Sequence, residues 1–154
     1  MKKQIKKSEL KDRSDIWNAV IAEITNHDLP SEGALLNECN LAFQYYSEME
    51  SGGHEILLNW TQDYIREVGI AHYLKELTAA LEKIGATDYA QIEKTYGEQL
   101  WRLFTALENE EIEEEAFYEE VEKADEEYYA LDGKLEQLLE SYFVDIHTEL
   151  FEIV

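Results

Sequence analysis

The sequence predicts an all-α fold: one compact domain built as a bundle of about six or seven helices. Three observations carry that expectation. Apolar residues recur every three or four places along almost the whole chain. No stretch sustains the every-second-residue alternation of a half-buried strand. Glycines and capping residues punctuate the pattern at helix-length intervals. With 154 residues, 45% of them hydrophobic, and a single proline, the chain suits one packed core and no proline-rich linker.

Ser14 is the expected cap of a first helix whose Ile16, Trp17, Val20, Ile21 and Ile24 share a face, ending near Asn26-His27-Asp28 ahead of Pro30. Ser31 then caps a longer helix reaching to about Glu50, with Leu35, Leu36, Cys39, Phe43, Tyr46 and Met49 inward, and Ser51-Gly52-Gly53 stops it. A third helix covers His54 to Val68 on Ile56, Leu57, Trp60, Tyr64 and Ile65, with Gly69 beyond its end. The fourth runs from Ile70 to Ile84 on Leu74, Leu77, Leu81 and Ile84, closed by Gly85. Thr87 caps a fifth, in which Tyr89, Ile92, Tyr96, Leu100, Leu103, Phe104 and Leu107 recur and Gly97 is a candidate interruption. Asn109 caps the acidic sixth segment, Glu110 to Lys123, whose sizeable apolar positions are only Ile112, Phe117, Tyr118 and Val121. The last helix carries Tyr128, Leu131, Leu135, Leu138, Leu139, Tyr142 and Ile146 to about Leu150, with a kink or break expected at Asp132-Gly133.

Charge is the dominant property. Acids outnumber bases 35 to 13, a net −22, where a magnitude of roughly 2–8 is enough to keep a small domain soluble. The distribution divides the chain into a basic segment, residues 1–13, and an acidic helical domain, residues 14–154. The first holds six bases and two acids, Glu9 and Asp12, and is either a solvated tail or one that docks on its own domain. From Ala106 to Val154 there are eighteen acids and two bases, Lys123 and Lys134, a net −16. Such a field repels nucleic acid and anionic membranes and attracts basic proteins.

Chemistry finds little foothold. Cys39 is the sole cysteine, has no disulfide partner, and lies among apolar neighbours as a small buried hydrophobe. Three residues before His27, His54, His72 and His147 stand Ile24, Ser51, Gly69 and Val144, so the Glu-x-x-His pairs of carboxylate-bridged di-iron sites are missing, and no two histidines have zinc spacing. Glu110-Glu111-Ile112-Glu113-Glu114-Glu115 lacks the alternating acids and central glycine of a calcium loop. Gly52-Gly53 follows no strand, and no Gly-x-Ser-x-Gly occurs. His54 reads as a polar contact at a helix start; as an active-site base it would require Asn59 and Asp63 to converge on it. The expectation is a non-enzymatic protein without metal or cofactor. No leader-like apolar stretch follows the basic start and no run approaches the ~20 apolar residues of a membrane span, so a cytoplasmic location is expected.

Two stretches resemble a family of small bacterial helical proteins known as the DNA-mimic protein family, otherwise a domain of unknown function. Glu48-Met49-Glu50-Ser51-Gly52-Gly53-His54, followed by Leu57-Leu58-Asn59-Trp60, is similar to the family's Glu-Val-Asn-Asn-Gly-Gly-Phe pattern, and Ala80-Leu81-Glu82-Lys83-Ile84-Gly85-Ala86 to its Ala-Leu-x-x-Ile-Gly-Ala. Ala124-Asp125-Glu126-Glu127-Tyr128-Tyr129-Ala130-Leu131, continuing through Leu135, Leu138-Leu139 and Tyr142, resembles its Leu-Asp-x-x-Phe-Tyr segment and the leucine-rich helix after it. The likeness spans roughly residues 35–145. Glu50 and Ser51 replace the usual asparagines, His54 replaces phenylalanine, and Ile56 stands in place of glutamine. The resemblance implies an all-α fold, and that some relatives imitate the charge of DNA and occupy DNA-binding proteins.

Charge and resemblance together point to an acidic binding protein, a DNA mimic that sequesters a DNA-binding transcription regulator. The expected partner-binding residues are Glu110, Glu111, Glu113, Glu114, Glu115, Glu119, Glu120, Glu122, Glu126 and Glu127. Two sets, Glu111-Glu114-Glu115 and Glu119-Glu122-Glu126, have the three- and four-residue steps that align side chains on one helical face. One alternative is an immunity-type inhibitor that plugs the basic active site of a toxin or nuclease; another is that the same carboxylates only keep the domain soluble. No direct nucleic-acid or membrane contact is expected, and the helix from Tyr128 to Leu150 has enough apolar surface for a homodimer seam.

Overall fold

Asp12, rather than Ser14, opens the first helix. Its carboxylate accepts the Asp15 amide at 2.9 Å while the Asp15 carboxylate reaches back to the Lys11 amide, also at 2.9 Å. Two short acids thus satisfy two free N–H groups and complement the helix dipole. Ser14, two residues past the cap, already lies inside the helix. The structure, a computed structural model, describes residues 2–27, 29, 31 and 33–154. Within them α1 spans Arg13–Thr25, α2 Ala34–Gly52, α3 His54–Val68, α4 Ile70–Lys83, α5 Thr87–Glu108, α6 Glu114–Ala130 and α7 Lys134–Leu150. Asp28 and Pro30, where the first turn was expected, lie outside the described residues.

Ser31 does not cap α2. Its amide donates to Asn37 Oδ1 at 3.0 Å and its hydroxyl accepts from Asn40 Nδ2 at 2.9 Å, tying it to the flank of α2, whose cap position is Gly33. Helices α3 and α4 have the expected bounds to within a residue. Gly53, Gly69 and Gly85 all take positive φ where those helices start and stop, so glycine spacing reads directly as helix length here. Gly97 does not interrupt α5; a Cβ there would come within 2.6 Å of Leu74 Cδ2, so the glycine lets α4 and α5 pack closely.

The acidic segment departs most from expectation. Asn109 closes α5 instead of opening α6. The Glu111 amide donates to Ala106 O at 2.8 Å and the Glu110 amide to Leu107 O at 3.1 Å, with Glu110 left-handed at φ 59. This is the Schellman closure, with a glutamate in the place glycine usually takes. Helix α6 therefore starts at Glu114 and runs past Lys123 to Ala130, taking Tyr128 with it; the break falls at Asp132-Gly133, both at positive φ. Because a left-handed L-residue costs roughly 1–2 kcal/mol, Glu110→Gly is expected to raise the unfolding free energy by up to about 1 kcal/mol after its own entropic cost. Denaturant titration checks this, and a destabilised variant would mean that the Glu110 side chain supplies compensating contacts.

Helix α2 is the hub, packing against α1, α3, α4 and α7, while α4, α5 and α6 follow one another in sequence and in space. Its buried face is Cys39, Asn40, Leu41, Ala42, Tyr45 and Met49; Leu35, Leu36, Phe43 and Tyr46 are only half-buried. Cys39 is a core residue, its thiol pushed up to about 12 by burial and then by Glu38. Two short strands add to the helices: β1 (Lys3–Ile5) pairs in parallel with β2 (Phe151–Ile153), Ile5 opposite Ile153. Three residues are too few for an alternation signal, so sequence periodicity does not show them. Arg13 extends the attachment with a 3.0 Å ion pair to Glu140, bringing bases of the first segment onto the acid-rich α7. Among the described residues, no helix is long and apolar enough to cross a membrane.

Candidate functional site

Helix α6 is amphipathic in an unusual sense, since its outward side is almost wholly carboxylate. Phe117, Val121, Ala124 and Tyr128 are buried against α5 and α3. On the opposite side Glu115, Glu119, Glu122 and Glu126 follow one another by four, three and four residues and are all exposed. Glu114 and Glu127 flank that stripe, and Glu110, Glu111 and Glu113 stand exposed in the turn before it. Of the ten expected partner-binding acids only Glu120 is half-buried, and among the described residues it alone forms an ion pair, with Lys123 at 3.8 Å. The neighbouring Glu127 carboxylate raises the pKa of the Tyr96 hydroxyl. Since Glu111 precedes the helix, the expected set Glu111-Glu114-Glu115 does not share one helical face. The stripe Glu115-Glu119-Glu122-Glu126 takes its place.

A second cluster lies beneath this face, and sequence reasoning missed most of it. His54, 1% exposed, starts α3 and is held between two carboxylates. Its Nε2 lies 2.8 Å from Glu93 Oε2 of α5 and its Nδ1 2.6 Å from Asp125 Oδ1 of α6, while its amide also donates to Asp125 Oδ1 at 3.0 Å. Tyr45 of α2 donates its hydroxyl to the same Glu93 oxygen at 2.7 Å. Burial pulls the imidazole pKa down, but Glu93 and Asp125 more than offset this, and the His54 pKa rises to about 9. At neutral pH both ring nitrogens therefore carry protons and donate. One buried cation ties α3 to α5 and α6, and so fixes the helix that displays the acidic stripe. Glu93 falls on the apolar stripe of α5 between Tyr89 and Leu100, and that is the signal by which sequence alone could have found it.

This arrangement is a packed ionic knot and not a pocket with convergent groups. Asn59 and Asp63 are exposed and do not approach the buried His54. The two carboxylates face opposite nitrogens of one ring and not a common point. Among the described residues no group of three or more His, Cys, Asp or Glu side chains is placed to hold a metal ion. Trp60, expected inside, is 70% exposed. The buried stripe of α3 is His54, Leu57, Leu58, Thr61, Tyr64 and Ile65; His54 is bonded to Glu93 and Asp125, Thr61 to the Leu57 carbonyl of its own helix, and Ile56 is only half-buried.

A protein-family model described as DMP19-like protein matches residues 34–147. The chain belongs to the DMP19-like family. No curated protein and no solved structure matches the chain. The DMP19-like region opens on the first residue of α2 and ends within α7, so it takes in both the acidic stripe and the His54 knot, and leaves β1, α1 and β2 outside.

Proposed function

We propose that this DMP19-like protein is a non-enzymatic DNA mimic that occupies the DNA-binding surface of a basic protein through the exposed carboxylates of α6 and the turn before it. The observation that carries the reading is the stripe Glu115-Glu119-Glu122-Glu126, free of ion pairs among the described residues and mounted on a helix fixed from beneath. Its four carboxylates span about 16 Å of helix axis. A DNA strand places about five phosphates over the same length. A partner groove that gains its affinity from neutralising phosphates therefore meets a comparable density of fixed anions. Membership of a family of DNA mimics supports the same reading.

The test is competition. Immobilised full-length protein should retain a DNA-binding regulator from cell extract, and duplex DNA should displace it, as should salt that shortens the Debye length to below ~8 Å. Glu119→Gln/Glu122→Gln/Glu126→Gln should weaken retention on the order of tenfold, the combined effect of three exposed charge contacts. Retention that saturating duplex leaves untouched, or that the triple variant leaves unchanged, would overturn the reading.

A further inference from the structure

Trp60 is the most exposed large hydrophobic residue of the described chain. Its indole is available to a partner, and tryptophan is among the residues that most often anchor protein contacts. It does not stand alone. Trp60, Asp63, Tyr64 and Glu67 occur at steps of three, one and three along α3 and so share one side of it. They line a cleft of about 450 Å³, with Gln44 of α2 on the facing wall.

The cleft is acidic and, among the described residues, has no lysine or arginine to balance it. Asp63 and Glu67 are exposed and, among the described residues, form no ion pair. Arg66, the nearest base in the sequence, is engaged elsewhere, pairing with Glu108 at 2.5 Å and lying over the Trp101 ring at 5.8 Å. His27, at the rim, is paired with Glu23 at 3.0 Å. Tyr64 is fixed by donating its hydroxyl to Glu76 at 2.6 Å, which makes that wall rigid.

An indole face beside two unbalanced carboxylates is complementary to one side chain above the others. A guanidinium stacks flat on the ring and still directs N–H donors outward to carboxylate oxygens. A lysine ammonium gains the charge attraction but not the planar stacking. We infer that the Trp60 side of α3 is a seat for an arginine side chain of the basic protein partner, with the indole as platform and Asp63 and Glu67 as its acceptors. The seat rests on the proposed function in that the partner is a basic protein, and it adds a specificity contact on α3 that the α6 stripe lacks.

Two peptides of equal charge, octa-arginine and octa-lysine, test it by calorimetric titration of the full chain. The arginine peptide is expected to bind about two- to fivefold more tightly than the lysine peptide. Trp60→Ala should bring that ratio to about one and Trp60→Phe should keep part of it. Asp63→Asn/Glu67→Gln should weaken both peptides. All these positions are exposed, so the variants keep the fold. In the Glu119→Gln/Glu122→Gln/Glu126→Gln protein both peptides should weaken while their ratio stays. A preference for arginine that survives Trp60→Ala, or no preference in the unaltered protein, overturns the seat and leaves the α6 reading standing. Failure of duplex DNA to displace a captured partner overturns the α6 reading and leaves the ratio unchanged.

Discussion

Replacing His54 by phenylalanine is expected to lower the unfolding free energy by about 3–5 kcal/mol, the usual cost of removing one partner from a buried ionic cluster. The ring is similar in size, and phenylalanine is what the family pattern carries at this position, so the variant removes charge without opening a large void. It leaves Glu93, 2% exposed, with only the Tyr45 hydroxyl. Asp125 suffers less, because its side chain is 20% exposed and keeps the backbone amide of residue 54. Glu93→Gln added to His54→Phe should therefore recover part of the loss. A double variant no more stable than His54→Phe alone would show that the stranded carboxylate is not the cause.

The same knot sets a pH dependence with a definite sign. The His54 pKa is raised from 6.5 to about 9 in the folded chain, since Glu93 and Asp125 together outweigh burial. The folded state thus holds a proton that the unfolded state releases. The stabilisation is fully present below about pH 6.5 and is lost as pH rises through about 9. Between those limits the unaltered protein should lose on the order of 3 kcal/mol, and His54→Phe should remove that slope. Comparing the two proteins below pH 9 avoids the buried Cys39 thiol, which the folded state holds protonated up to about 12.

The contrast between what the sequence discloses and what it hides follows from range. Helix type and most helix ends are local properties: Gly53, Gly69 and Gly85 mark α3 and α4 because a positive φ at a helix terminus needs glycine wherever the chain goes next. Where two local signals compete, the reading slips. Ser14 and Asp12 both suit a cap, and the one whose carboxylate reaches the Asp15 amide takes it. Asn109 suits either end of a helix, and the closure of α5 claims it before α6 can. The α3 stripe slipped for a different reason. Counting Trp60 inward assumes that apolar groups face the core, whereas His54 and Thr61 occupy those places. The partners that make His54 an inside residue stand 39 and 71 positions away. Nothing near His54 in the chain announces them. The exposure of the α6 acids was legible, since carboxylates without partners have nowhere but water to go.

Gly53→Ala should be among the most damaging single methyl additions in the chain. Gly53 stands at φ 82, ψ −160, a region that L-residues essentially do not occupy, and strain of this kind costs about 1–3 kcal/mol. A second cost comes from its neighbour: the added carbon would lie 2.8 Å from the Asp125 carboxylate carbon. Asp125 cannot simply swing aside, because one of its oxygens accepts both the amide and Nδ1 of His54. Displacing it gives up these bonds at about 1–3 kcal/mol more. Gly69→Ala separates the two costs. Gly69 has a similarly forbidden φ of 89, but an added carbon there meets nothing within 4 Å, so that variant bears strain alone. Gly53→Ala should be the more destabilising of the pair and should also lower the His54 pKa in an imidazole NMR titration, a shift Gly69→Ala should not produce. Equal losses with an unmoved His54 titration would mean that α6 yields freely at Asp125 and is not held by the knot.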